Sequence, residues 1–197
     1  MPISDNVINA ILKNDPKLTH LDLCESGLSG EDITALVNAL QKNTAITSLD
    51  LSRNNLDSDD ITDLGLLTRI KKINLAQNDV NEAGVNFLLK IPSLNWLNID
   101  DNRLTDEGGK KLVEKSSPSF YISAYGNKKV TPALLEQIER KRTQADPENT
   151  PNIPNTTPFW EHSKRSSAPA VLSCANEVVG DKGNTSGRAS PSVIEMH

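Results

Sequence analysis

Ile46-Thr47-Ser48-Leu49-Asp50-Leu51-Ser52-Arg53-Asn54-Asn55-Leu56 is the phrase on which the chain is built. It reads apolar-x-x-apolar-x-apolar-x-x-Asn-x-apolar. The phrase recurs at 18–28 (LTHLDLCESGL), 70–80 (IKKINLAQNDV) and 94–104 (LNWLNIDDNRL), and a degraded copy occupies 119–130 (SFYISAYGNKKV). Successive starts lie 28, 24, 24 and 25 residues apart. A fixed period of this size marks a stack of like coils, none of which buries its apolar face without a neighbour.

Leu49 and Leu51 alternate with Ser48, Asp50 and Ser52, the period of a short strand with one buried face. Asn54 then turns the chain. Its amide has two donors and an oxygen with two lone pairs, enough for backbone groups of its own turn and the next. Asn54, Asn78, Asn102 and Asn127 are expected to stack as a ladder, with Ser26 as a smaller first rung. The rest of each unit returns as a helix. This predicts an α/β solenoid, with parallel strands about 4.8 Å apart on the concave face and helices on the convex face.

The helices can be placed. Residues 4–14 carry a stripe of Val7, Ile8, Ile11 and Leu12, with Ser4 or Asp5 as cap and Asn14-Asp15-Pro16 as stop. This helix is expected to cover the open N-terminal end of the stack. Ser29 and Asp32 read as a capping box before Ile33, Leu36, Val37 and Leu40. The second unit predicts a helix over 58–67, weakened by Gly65. A third is expected over 82–90 and a fourth over 105–113. Thr131-Pro132 starts the last, 132–142, read as the C-terminal cap. Arg140-Lys141-Arg142 is its solvated, dipole-complementing end, or an anionic-surface patch.

The units resemble leucine-rich repeats over about residues 16–131, and over 1–143 with the caps. The first unit, LDL followed by SGEDITALVNAL, is similar to the ribonuclease-inhibitor-like class, as are Glu-Ala-Gly at 82–84 and Asp-Glu-Gly at 106–108. The 24-residue units are shorter than usual there. The resemblance implies a curved solenoid that binds protein. A short array of this class with a polar C-terminus also resembles repeat effectors that intracellular bacteria inject into host cells. Some of these carry a loose C-terminal secretion signal, a composition that ANEVVGDKGNTSGRASPSVIEMH shares.

The concave face can be read by column. The first is His20, Ser48, Lys72, Trp96, Tyr121, the second Asp22, Asp50, Asn74, Asn98, Ser123, and the third Cys24, Ser52, Ala76, Asp100, Tyr125. Its C-terminal half gathers Trp96, Tyr121 and Tyr125 around Asn98 and Asp100, with Lys72 beside them. Exposed aromatics among polar groups make interface hot spots, so these six are the candidate partner-binding residues. The alternative is that the C-terminal helix or the tail covers them.

Other chemistry finds little support. His20, Asp22 and Cys24 are the one conceivable catalytic group, but they share a strand with no nameable oxyanion hole or base-orienting partner. Of three histidines, two (His162, His197) lie in the tail, and no ligand set has metal spacing. No Gly-rich phosphate loop is present. No cofactor, metal or enzymatic activity is expected. Net charge is -5, and no Lys/Arg cluster tracks a groove, so no nucleic-acid partner is expected. The start MPISDNVINAILK is not a conventional signal peptide, and no apolar run suits a membrane span. Two cysteines, Cys24 and Cys174, suggest a reducing compartment. The expectation is a cytoplasmic monomer, or a protein delivered into a host cell without a signal peptide.

From Gln144 the composition shifts to Pro, Asn, Thr, Ser and Gly without periodicity, and 144–197 reads as a disordered tail. Phe159-Trp160 stand out in it. They suggest a docking motif, contact with the solenoid, or incidental exposure. Two rival functions emerge: an interaction module using the concave face, or an adaptor whose tail docks a second protein.

Overall fold

The computed structural model describes residues 3–115, 117, 119–145 and 170–173. Each copy of the phrase forms a strand where its alternation falls: β1 (Leu18–Asp22), β2 (Ser48–Asp50), β3 (Lys72–Asn74), β4 (Trp96–Asn98) and β5 (Tyr121–Ser123). Neighbouring strands pair in parallel, with Leu21, Leu49, Ile73, Leu97 and Ile122 in one register. All five are buried and form an aliphatic column through the core. Full burial of such a side chain contributes about 1.5–3 kcal/mol.

The helices α1 (Asp5–Leu12), α2 (Gly30–Leu40), α3 (Glu82–Leu88), α4 (Asp106–Lys115) and α5 (Pro132–Ala145) form the other layer of the solenoid. Helix α1 packs on α2, α3 on α4, and α4 on α5. Ser4 caps α1, its Oγ accepting the Val7 N–H at 3.4 Å. The Ser29–Asp32 box forms: Asp32 N–H reaches Ser29 Oγ at 3.4 Å, and Ser29 N–H reaches Asp32 Oδ2 at 2.9 Å. The Ile3 N–H also donates to Asp32 Oδ1 at 2.6 Å, fastening the N-terminal segment to α2.

The second unit differs from expectation. Instead of a helix over 58–67, it has only a 3-10 turn at Thr62–Leu66. The Asp57 carboxylate takes the N–H groups of Asp59 and Asp60 at 2.8 and 3.0 Å, holding a turn where a helix would begin. Gly65 lowers the helix propensity of the rest of the segment. A tighter turn also suits the shorter unit.

The asparagine ladder forms. Asn78 Oδ1 accepts the N–H of Asn54 and Leu56, and its Nδ2 donates to the carbonyls of Leu51 and Leu75, all at 2.9–3.1 Å. Asn54, Asn102 and Asn127 likewise reach from their own coil into the preceding one. Ser26 is not such a rung. Its hydroxyl bonds within its own turn, to the Cys24 carbonyl at 3.4 Å. It sits in the first coil, where no preceding repeat offers backbone groups to bridge.

The residue before each asparagine rung, and Glu25 before Ser26, turns left-handed: Glu25, Arg53, Gln77, Asp101 and Gly126 have φ of 55, 60, 58, 51 and 71°. Four of these are not glycine. The ladder holds this backbone against a cost of about 1–2 kcal/mol per residue.

Most of 144–197, expected to be a disordered tail, lies outside the described residues, as do Phe159, Trp160, His162, Cys174 and His197. Two parts do not. Helix α5 runs on to Ala145, and Ala170–Ser173 is a strand, β6, parallel to β1 on its outer edge. The strand order is β5-β4-β3-β2-β1-β6. Ala170–Ser173 is the part of that segment that pairs as a strand. AVLS is too short to show a period, and its pairing comes from a strand far away in sequence. The N-terminal end has two covers: α1 on the helix layer and β6 on the sheet. Among the described residues, no helix is long and apolar enough to cross a membrane.

Candidate functional site

The strand registers bring His20, Ser48, Lys72, Trp96 and Tyr121 into one line across the sheet, with Asp22, Asp50, Asn74, Asn98 and Ser123 in the next. At the C-terminal end, the Trp96 and Tyr121 rings stack with centroids 5.3 Å apart and planes 5° from parallel. The cause is parallel pairing in register, which sets two aromatic side chains side by side on one face. Both are half-buried, as are Lys72 and Asn98.

The remaining predicted residues play different parts. Asp100 is buried, 4 % exposed, and its carboxylate is engaged inside the protein. Its Oδ1 accepts Ser123 Oγ at 2.7 Å and the Tyr125 N–H at 2.6 Å. Asn98 Oδ1 in turn accepts the Asp100 N–H at 2.9 Å. Tyr125 is exposed, and its hydroxyl donates to the Glu139 carboxylate on α5. Lys72, Trp96, Tyr121 and Asn98 thus form one continuous surface, Asp100 sets the backbone beneath it, and Tyr125 stands at its rim.

Glu139 is not identifiable from the sequence. On α5 it looks like any solvated helix residue, and only the folding of α5 against β5 brings it to Tyr125. The basic end of that helix is engaged: Arg140 pairs with Glu136 at 2.7 Å, and the Lys141 ammonium donates to the Val113 carbonyl.

The N-terminal half of this face is closed. Asp50 is 0 % exposed, and His20, Ser48, Ser52 and Asn74 are buried. Asp50 accepts Ser52 N–H and Oγ at 3.0 and 2.5 Å and Asn74 Nδ2 at 2.9 Å, so its carboxylate ties β2 to β3. His20 Nδ1 lies 3.0 Å from Ser48 Oγ. Burial pushes the His20 imidazole below its ordinary range; Asp50 opposes this and Lys72 adds to it. Burial also pushes the Asp22 carboxyl up, against the Cys24 N–H bond that steadies its charge. The Cys24 thiol is pushed up too, chiefly by burial, with the nearby acids Asp50 and Asp22 adding. A reactive cysteine takes the opposite shift, so the direction at Cys24 gives no sign of an activated nucleophile.

The sequence matches the Leucine Rich repeat family model at residues 42–68 and 90–113. No curated protein matches it. Among solved structures, the fold is similar to leiomodin-1 actin-binding site 2, at 16 % identity and a TM-score of 0.58, over 74 % of this chain and 90 % of that one. It is similar as well to the Caenorhabditis elegans tropomodulin C-terminal domain, at 14 % identity and a TM-score of 0.58, over 72 % and 93 %. At such identities the likeness is one of fold. Five parallel strands alternate with helical returns around an aliphatic column, and two stretches carry the family's sequence pattern: the fold is a leucine-rich-repeat solenoid.

Proposed function

We propose that the chain is a non-enzymatic protein-binding module that engages its partner through the C-terminal half of the concave face. The observation that carries this reading is the Trp96–Tyr121 stack, flanked by Lys72 and Asn98. A pre-stacked aromatic pair offers large contact area at little entropic cost, and such residues dominate interface energetics. Tyr125 borders the patch, and Asp100 holds the loop that presents it. The raised Cys24 thiol lends no support to a nucleophile on β1. The fold's likeness to an actin-binding site adds support for protein binding in general.

The role of an effector in a host cell belongs to the same proposal. It rests on the resemblance of the short array and polar C-terminus to injected repeat proteins. In this reading the partner is a host protein, bound by a monomer in the host cytoplasm.

The test is affinity capture with the full chain from eukaryotic and bacterial lysates, with purified actin as a defined probe. Wild type is compared with Trp96→Ala/Tyr121→Ala. A eukaryotic protein retained by wild type and lost by the folded double variant is the expected result. Capture unchanged by the double variant would refute the concave patch.

A further inference from the structure

The first coil of a solenoid leaves one strand edge without a repeat to pair with. In β1, the Thr19 carbonyl accepts from Thr47 and the Leu23 N–H donates to Asp50, both at 2.9 Å, so the odd residues face β2. Parallel alternation turns the backbone N–H and C=O of His20 and Asp22 to the other edge. An edge of this kind is a template for any extended chain. Here it is filled by Ala170–Ser173, with Val171 opposite His20, Leu172 opposite Leu21 and Ser173 opposite Asp22.

That register copies the repeat. Leu172 falls at the position held by Leu21, Leu49, Ile73, Leu97 and Ile122, aliphatic in every coil. Val-Leu-Ser on β6 corresponds to Tyr-Ile-Ser on β5 and Ser-Leu-Asp on β2. Among the described residues, the segment stands as the strand of a further coil. It has four residues of pairing, with a break in register between Leu18 and His20.

We infer that the outer edge of β1 is a peptide-acceptor site. Its ligand is an extended segment of another protein, entering parallel, with an aliphatic residue opposite Leu21 and small residues at the ends. Ala170–Ser173 is the tethered competitor that covers the site. The tether permits this. Strands β5 and β6 are five spacings apart, about 24 Å, whereas the 24 residues between Ala145 and Ala170 reach up to about 80 Å. A strand with only four paired residues gains much of its hold from this covalent link, which makes its pairing intramolecular. A free strand of the same pattern gains the same ladder once the tethered one is released. The site lies at the opposite end of the sheet from Trp96 and Tyr121, so the two sites stand or fall separately.

The experiment uses the full chain, wild type and Leu172→Pro. Proline removes an N–H and is poorly tolerated within a paired strand. Leu172→Asp is a second variant that keeps the backbone donor but loses the aliphatic residue. The probe is a fluorescent peptide with the sequence of residues 168–176, carrying Cys174→Ser, read by polarisation. Amide exchange at His20 and Asp22 is followed in parallel. Both variants should bind the peptide at least tenfold tighter than wild type, and their His20 and Asp22 amides should exchange faster until peptide is added. A probe with aspartate in place of its leucine should not bind. Equal binding to wild type and variants, or no binding to folded variants, would overturn the proposal. So would unchanged exchange at His20 and Asp22. A concentration-dependent wild-type dimer abolished by Leu172→Pro would overturn the tethered arrangement in favour of strand exchange between copies.

Discussion

Asn78 holds the backbone of Asn54 from the next coil, its Oδ1 accepting the Asn54 N–H at 3.1 Å while its Nδ2 donates to the Leu51 carbonyl at 3.0 Å. One side chain thus joins two turns at buried positions that water does not reach. Asn78→Ala would orphan the N–H of Asn54 and Leu56, while the carbonyls of Leu51 and Leu75 keep the amides of Asn54 and Asn102. Each buried orphan costs about 1–3 kcal/mol. We expect a loss of at least about 2 kcal/mol in urea denaturation. Ser26→Ala, which removes only a local bond, should cost under about 1 kcal/mol. Similar losses in the two variants would show that the ladder does not hold the coils together.

Gly126 has φ of 71°, and a Cβ there would lie 1.9 Å from Asp101 Oδ1. Gly126→Ala therefore meets both left-handed strain, about 1–2 kcal/mol, and a collision. The urea midpoint should fall by more than that strain alone implies. A neutral substitution would mean that this corner relaxes freely.

The Trp96–Tyr121 stack should be detectable without any partner. Offset or stacked aromatic pairs couple by about 0.5–1.5 kcal/mol beyond their area. A double-mutant cycle with Trp96→Ala and Tyr121→Ala, read by chemical denaturation, should return a coupling in that range. A coupling of zero would mean that the rings are apart in solution.

His20 makes stability depend on pH. Burial holds its folded-state pKa below the ordinary 6.5, so below that pH the unfolded chain binds the proton more readily than the folded one. Stability is present in full above pH 6.5 and is lost as pH falls through the lowered folded value. The urea midpoint should be level from pH 8 to 7 and decline from 6.5 toward 5. His20→Asn should flatten the decline, because it removes the imidazole and leaves the acids in place. A wild-type profile identical to that of His20→Asn would exclude the mechanism.

Much of the fold is legible in the sequence. The spacing of Leu49, Leu51 and Asn54 predicts strand, turn and ladder, because strand alternation and the donor inventory of an asparagine are local properties. The columns are legible too, since parallel strands in a common register make equal repeat positions neighbours. That is how Trp96 and Tyr121 can be paired from their repeat positions. The 3-10 turn at Thr62–Leu66 is not legible, because turn bonds from Asp57 compete with an apolar pattern that suits a helix. Ser26 departs from expectation because the phrase does not reveal that its coil has no predecessor.

The chain's own letters decided the repeat, the aliphatic column and the line of concave-face residues, all of which come from periodicity. Tertiary structure alone decided that Asp100 is spent inside the sheet, that Glu139 meets Tyr125, and that Ala170–Ser173 lies on β1. Each of these joins groups from different elements. A contact between Ala170 and Leu18 spans most of the chain, and no local pattern encodes it. Only the stacking of the coils determines which edge is left open and which segment reaches it.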